Sequence, residues 1–135
     1  MRTKLRVVVA AAGLALAVAP VRAHHAFAAE FDQDKPIKVQ GSVTRWELTN
    51  PHSWIYIDVK ADDGKTATWM IEGASPNNLY RLGLTKESLP IGSVITVEGY
   101  QAKDGSTRAV GRNITFANGK KFFLGLMEAE GAPKQ

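Results

Sequence analysis

The sequence of 135 residues has no cysteine, only three histidines and no hydrophobic run long enough to cross a bilayer as a helix. The lack of cysteine excludes disulfide bonds, thiolate metal sites and cysteine nucleophiles. The fold must therefore be stabilised by its apolar core, and any transition-metal site has few imidazoles to draw on.

Residues 1–23 have the three-part layout of a secretory signal peptide. A basic start is followed by an apolar run over 7–18, and small residues precede a cleavage point after Ala23. The apolar run has 12 residues, whereas a membrane-spanning helix needs about 20. We therefore expect the leader to be removed rather than kept as a membrane anchor, so that an exported, periplasmic protein begins at His24.

The chain beyond the leader lacks a net charge. Four of the 17 basic residues fall within residues 1–23, and all 13 acidic residues fall after them, so the mature chain holds 13 of each sign. Binding to nucleic acid needs a basic surface that displaces counterions from phosphates. The balance therefore argues against nucleic acid as a partner, and against attraction to a membrane surface.

Alternating apolar and polar residues predict β-strands over most of the mature chain. "IKVQGSV" from Ile37 starts the first strand, whose phase slips before Trp46 and indicates a bulge. "SWIYIDVK" and "TATWMIEG" are joined by an Asp-Gly turn, and two further strands start at Ser93 and Arg108. Asn118-Gly119 predicts a turn into a terminal hairpin.

A short helix separates the third strand from the fourth. Ser75 is a helix-capping residue type, Pro76 suits the first helical position, and Gly83 is typical of a helix end. Three strands, a helix and two strands is the order of an OB-like fold. We therefore predict an all-β, five-stranded antiparallel barrel with one short helix and a C-terminal hairpin. An open β-sandwich is the alternative. The barrel is assigned to 37–127, after an irregular or short helical lead-in at 24–36 and before a loose tail at 128–135.

The histidines carry the sharpest functional hypothesis. Cleavage after Ala23 would make His24 the first residue, whose amine and imidazole can chelate one metal ion, with His25 beside it and His52 in an Asn-Pro-His turn. Nitrogen ligands without sulfur favour Cu(II). The pattern of His24 with His52 resembles the histidine brace of certain copper proteins. The alternative is a solvated N-terminus, with His52 hydrogen-bonded locally in its turn.

Aromatic residues suggest a second kind of site. Trp54, Tyr56 and Tyr100, with Asn50 nearby, could line a groove for a small ligand, a peptide, an envelope protein or an envelope glycan, although alternating aromatics also serve sheet packing. No serine stands in a G-x-S-x-G context, which leaves a hydrolase unsupported. We therefore expect a non-enzymatic binding protein, with a redox copper enzyme as a further alternative.

Four stretches together resemble a known family. "HHAFAAEFD", "TNPHSWIYIDV", "IEGASPNNLYRLG" and "VEGYQAKDGSTRAVGRNITF" are similar to a family of small exported proteins of Gram-negative bacteria that is known as a domain of unknown function. The resemblance runs from His24 to about Gly125. It implies export and a small β-rich domain, and it implies no reaction.

Overall fold

The computed structural model describes residues 29–125. The predicted signal peptide, His24, His25 and the predicted tail at 128–135 lie outside these residues. Ala29 and Glu30 are helical. From Phe31 onward the described part of the chain contains six strands, one α-helix and one short 3-10 helix: β1 Phe31–Glu47, β2 Ser53–Lys60, β3 Thr66–Gly73, α1 Pro76–Arg81, the 3-10 helix Lys86–Ser88, β4 Val94–Ala102, β5 Arg108–Phe116 and β6 Lys121–Phe123.

The strands pair in the order β3-β2-β1-β4-β5-β6, and β3 also pairs with β5. That additional pairing closes β1 to β5 into a ring of hydrogen-bonded strands and leaves β6 as an extension of β5. The OB-like strand order and the C-terminal hairpin predicted from the sequence are confirmed. All neighbours are antiparallel except β3 and β5, which run parallel over Met70–Glu72 and Arg108–Val110. This closure distinguishes the fold from the open sandwich.

The inner face of the ring forms the apolar core. Ile55 and Ile57 of β2 and Ile71 of β3 are fully buried, as their alternation with outward residues predicts. Val43, Ile95, Val97 and Ile114 reach the same cluster from β1, β4 and β5. Because successive side chains of a strand point to opposite faces, the same periodicity places Trp54, Tyr56 and Glu72 on the outer face.

The first strand is longer than the sequence predicts. It begins at Phe31 rather than at Ile37, so residues 31–36 of the lead-in proposed at 24–36 are extended strand, whereas Ala29 and Glu30 are helical. Phe31 pairs with Ala102, and Pro36 pairs with Tyr100 after an irregularity in register. Pairing with β4 and burial of Phe31 outweigh the weak strand preference of the intervening polar residues. The bulge predicted before Trp46 is confirmed between Val43 and Arg45.

The helix α1 begins and ends close to the predicted positions. The Ser75 hydroxyl accepts a hydrogen bond from the Asn78 backbone N–H at 3.4 Å, and Pro76 opens the helix. Gly83 follows its end with a φ of 87°, a conformation that glycine adopts without strain. Leu79 is buried in the core, whereas Leu82 is 40% exposed because the helix ends at Arg81. Within residues 29–125 no helix has the length and apolar character that a membrane crossing would need.

Candidate functional site

A buried carboxylate lies on the outer face of the ring. Within the described residues, Ser53 and Glu72 are the buried polar or charged side chains, and Glu72 is 6% exposed. Glu72 stands opposite Trp54 in the pairing of β2 with β3. In the parallel pairing of β3 with β5, Glu72 lies opposite Val110. Arg108 lies two residues before Val110 and therefore on the same face of the sheet. A carboxylate buried in this way needs hydrogen-bonding or charged partners, because burying an unpaired charge costs free energy.

Two basic side chains provide that compensation. The Nδ1 atom of His52 contacts Oε1 of Glu72. The Nη2 atom of Arg108 donates to Oε2 of the same carboxylate at 3.4 Å. The His52 and Arg108 side chains are 42% and 34% exposed. Glu72 is therefore covered by its own partners, which remain in reach of solvent.

Aromatic rings border the guanidinium group. The central carbon of Arg108 lies 5.2 Å from the centre of the Phe31 ring and 5.4 Å from the centre of the Trp54 ring, distances at which a cation is attracted to a ring face. Phe31 is buried but does not belong to the core cluster inside the ring. The start of β1 thus contributes an aromatic side chain to the site on the outer face of the ring.

The turn before β2 brings His52 to Glu72. The Asn50–Pro51 peptide bond in this turn is cis, and the Thr49 hydroxyl donates to the His52 carbonyl oxygen at 3.2 Å. The next residue, Ser53, is fixed more firmly. Its backbone N–H and its hydroxyl both donate to the carbonyl oxygen of Ala74, at 3.1 and 2.8 Å. His52 is thereby attached to a rigid strand end, and its side chain contacts β3 rather than only its own turn.

The geometry gives His52 a defined orientation. An imidazole whose Nδ1 donates to a carboxylate carries its free electron pair on Nε2, where it can bind a metal ion or accept a proton. Within residues 29–125, no three groups among histidine, aspartate and glutamate are placed to hold a metal ion together. A metal at His52 would therefore need ligands from elsewhere. His24 and His25, predicted as such ligands, lie outside the described residues.

The residues predicted to line an aromatic groove lie in different places. Trp54 belongs to the Glu72 site, and Asn50 is exposed in the turn. The Tyr56 ring lies 3.9 Å from the guanidinium carbon of Arg45. Tyr100 lies on β4, which is separated from β2 by β1, and it lines a cavity that includes neither Trp54 nor Tyr56.

Sequence reasoning missed Glu72, Arg108 and Phe31. No local motif marks them, because 36 residues separate Glu72 from Arg108. The predicted strand order contained a usable signal. An OB-like ring must bring the third strand beside the fifth, so that a charge near the end of one could meet a charge near the start of the other. Phe31 was missed because it lies in the part of β1 that was assigned to the lead-in.

The comparisons with known proteins agree with the resemblance noted in the sequence. The model of a family of unknown function, DUF6152, matches residues 11–112, which is most of the chain. No curated protein matches the chain. The family match carries no activity that could be assigned to the Glu72 site.

Proposed function

Since the chain belongs to this family, for which no function is known, we propose from the site itself that it is a periplasmic protein that captures Cu(II). His52 is the ligand from the folded domain. His24, through its amine and imidazole after removal of residues 1–23, supplies further nitrogen ligands, with His25 assisting. The single observation that carries this proposal is the contact between Nδ1 of His52 and the buried Glu72.

That contact is the arrangement in which metal-binding histidines commonly occur. A carboxylate that accepts from one ring nitrogen fixes the tautomer and orients the ring. Arg108 holds the second oxygen of Glu72 at 3.4 Å, so the carboxylate itself has a fixed position. A histidine that only formed part of a solvated turn would not be expected to contact a buried carboxylate that is also bound by an arginine.

The length of the connection allows the N-terminal histidines to take part. Seven residues lead from His24 to Phe31, where β1 begins. An extended chain of that length spans at most roughly 24 Å, so His24 can reach positions up to that distance from Phe31. Phe31 lies beside Arg108, and Arg108 binds the carboxylate that orients His52. The first strand therefore begins beside the Glu72 site, which supports a role for the residues that precede it.

The choice of copper follows from the chemistry of the ligands. With no cysteine in the chain, imidazole and amine nitrogens are the strongest donors that these residues offer. Among divalent first-row metals, Cu(II) binds such nitrogens most tightly. Because imidazole must be unprotonated to bind, acid releases the ion. This suits capture and delivery rather than permanent retention.

The test requires the protein with its natural start. The exported protein is purified, its first residue is determined by N-terminal sequencing, and Cu(II) binding is measured by competition with a chelator and by electron paramagnetic resonance. We expect nitrogen hyperfine structure, and a loss in affinity of about 10- to 100-fold for both His52→Ala and Glu72→Gln.

A matched control separates the amine from the imidazoles. A variant with three glycines added before His24 keeps all three histidines but moves the amine away from the His24 imidazole and leaves no histidine among the first three residues, and we expect it to bind Cu(II) at least about tenfold more weakly. Thermal unfolding of each variant confirms that it is folded. A natural start other than His24, or equal Cu(II) affinity with and without the His52 imidazole, would overturn the proposal. Either outcome would favour the alternative, an interaction module that binds a protein, a peptide or an envelope glycan.

A further inference from the structure

A second polar region lies on the outer face of β1, β4 and β5, away from the Glu72 site. It is an open cavity of about 610 Å³, a volume within the range of small-molecule sites. Its lining includes three cations, one acid, an aromatic ring and an amide: Lys38, Arg112, Lys121, Glu98, Tyr100 and Asn113. We call this region the Arg112 groove.

The groove carries an excess of positive charge. Lys121 and Lys38 place their Nζ atoms 3.0 and 3.6 Å from the two oxygens of Glu98. The hydrogen bond from Lys121 lowers the pKa of Glu98 below its ordinary value, so this acid is charged at neutral pH. Arg112 forms no ion pair with any residue in the range 29–125. Three cations against one anion leave two positive charges uncompensated.

A bulge in β5 aims Arg112 into the groove. Glu98 pairs with Asn113 and Gly99 with Gly111, so that Arg112 is the extra residue between two paired positions. Such an insertion redirects a side chain that would otherwise follow the alternation of the strand. As a result Arg112 and Asn113, although consecutive, both line the cavity.

The sequence maintains this bulge with two glycines. A Cβ atom at Gly99 would overlap the carbonyl oxygen of Val110, and a Cβ atom at Gly111 would overlap Cδ1 of Leu124 and lie 2.7 Å from Cγ2 of Ile71. Neither position can accept another residue without a shift of the backbone or the core. The bulge is therefore a built feature of the sheet.

We propose that the Arg112 groove binds a small anionic sugar. The Arg112 guanidinium pairs with the carboxylate or phosphate of the ligand, for which its planar fork is suited. Asn113 hydrogen-bonds hydroxyl groups, and the Tyr100 ring provides the apolar surface on which a sugar ring packs. Lys38 and Lys121 add electrostatic attraction. Either lysine can leave Glu98 and pair with the anionic group of the ligand instead. This proposal uses none of the histidines and is independent of copper binding.

The test is calorimetric titration of the mature protein at low ionic strength with glucuronate, glucose 6-phosphate, glucose and inorganic phosphate. We expect one or both anionic sugars to bind, glucose to show no binding, and affinity to fall as salt is added. The two anionic sugars distinguish a carboxylate from a phosphate as the recognised group. Phosphate alone is expected to bind at least about tenfold more weakly than the better sugar.

Variants assign the binding to the groove. Arg112→Gln should weaken binding by about tenfold or more, whereas Glu98→Gln should strengthen it, because it removes the competing anion. Arg81→Gln, on α1, makes the same change in net charge and should leave affinity unchanged. Lack of binding by both anionic sugars, equal binding of glucose, equal binding of phosphate, or equal effects of Arg112→Gln and Arg81→Gln would each overturn the proposal.

Discussion

Glu72 and Glu98 both lie on the outer face of the ring between two basic side chains, yet their surroundings differ. Glu72 is flanked by His52 and Arg108, and its side chain is 7% exposed. Glu98 is flanked by Lys38 and Lys121, and its side chain is 33% exposed. The two clusters thus share a composition of one acid and two bases. Burial, rather than composition, decides what each can do.

At Glu72 the carboxylate is buried, and the rings of Phe31 and Trp54 border the guanidinium of Arg108, so water screens the charge of this acid weakly and the carboxylate is held in position. At Glu98 solvent screens both lysines, and pairs of this kind contribute little to stability. A cluster that is held can orient a ligand such as the His52 imidazole. A screened cluster can exchange its internal partners for an incoming anion. The proposed metal site and the Arg112 groove correspond to these two cases.

The largest difference in stability between the Glu72 and Glu98 clusters is expected when one basic side chain is removed from each. Arg108→Met replaces the aliphatic stem of the arginine by an apolar side chain but leaves the buried Glu72 without its guanidinium partner. We expect a loss of about 2 kcal/mol in the free energy of unfolding, measured by urea denaturation. The matched variant Lys121→Met leaves an acid that water can reach, and should cost at most about 0.5 kcal/mol.

A double variant checks the reason for this difference. If the cost of Arg108→Met comes from the charge left on Glu72, then adding Glu72→Gln should recover part of the lost stability instead of lowering it further. Additive losses would show that Arg108 acts by packing against Phe31 and Trp54, and the contrast with Glu98 would then not be electrostatic.

A smaller effect is expected when the acid itself is changed. Glu72→Gln retains the shape and one acceptor oxygen but loses the charge that both His52 and Arg108 contact. We expect a decrease of about 1 kcal/mol in the free energy of unfolding. Glu98→Gln should change it by no more than about 0.5 kcal/mol at neutral pH. Equal decreases in the two variants would contradict the role given to burial.

The smallest effect is the pH dependence that Glu98 produces. The hydrogen bond from Lys121 lowers the pKa of this carboxyl below its ordinary value of 4.5. A group whose pKa is lowered by folding stabilises the fold above its unfolded pKa, and this contribution is lost as the pH falls through the folded pKa. Because the side chain is one-third exposed, we expect only about 0.5 kcal/mol after screening.

The measurement compares urea denaturation of the natural chain and of Glu98→Gln from about pH 6 to about pH 3. The natural chain should lose about 0.5 kcal/mol more than the variant over this range. Parallel curves would show that the lysines do not act on Glu98 in the folded state.

Local pattern predicted much of the fold. The alternation in "SWIYIDVK" placed Ile55 and Ile57 inside, and Ser75 with Pro76 marked the start of α1, because these signals depend on neighbours within one turn or one strand. The beginning of β1 was predicted six residues late, since Phe31 is a strand residue only through its pairing with Ala102 on a distant strand. Leu82, three residues after Leu79, does not share its burial because the helix has ended.

The sequence by itself determined the strands, their inward faces, the turns and the capped helix, since each follows from residue types within a few positions of one another. It also determined which side chains were available for chemistry: three histidines, no cysteine, and 17 basic residues against 13 acidic ones. Only the tertiary structure decided which of these side chains meet. The parallel pairing of β3 with β5 brings Glu72 to Arg108, and the bulge opposite Gly99 directs Arg112 outward. Both depend on the register between strands that are far apart in the chain, which no local pattern encodes.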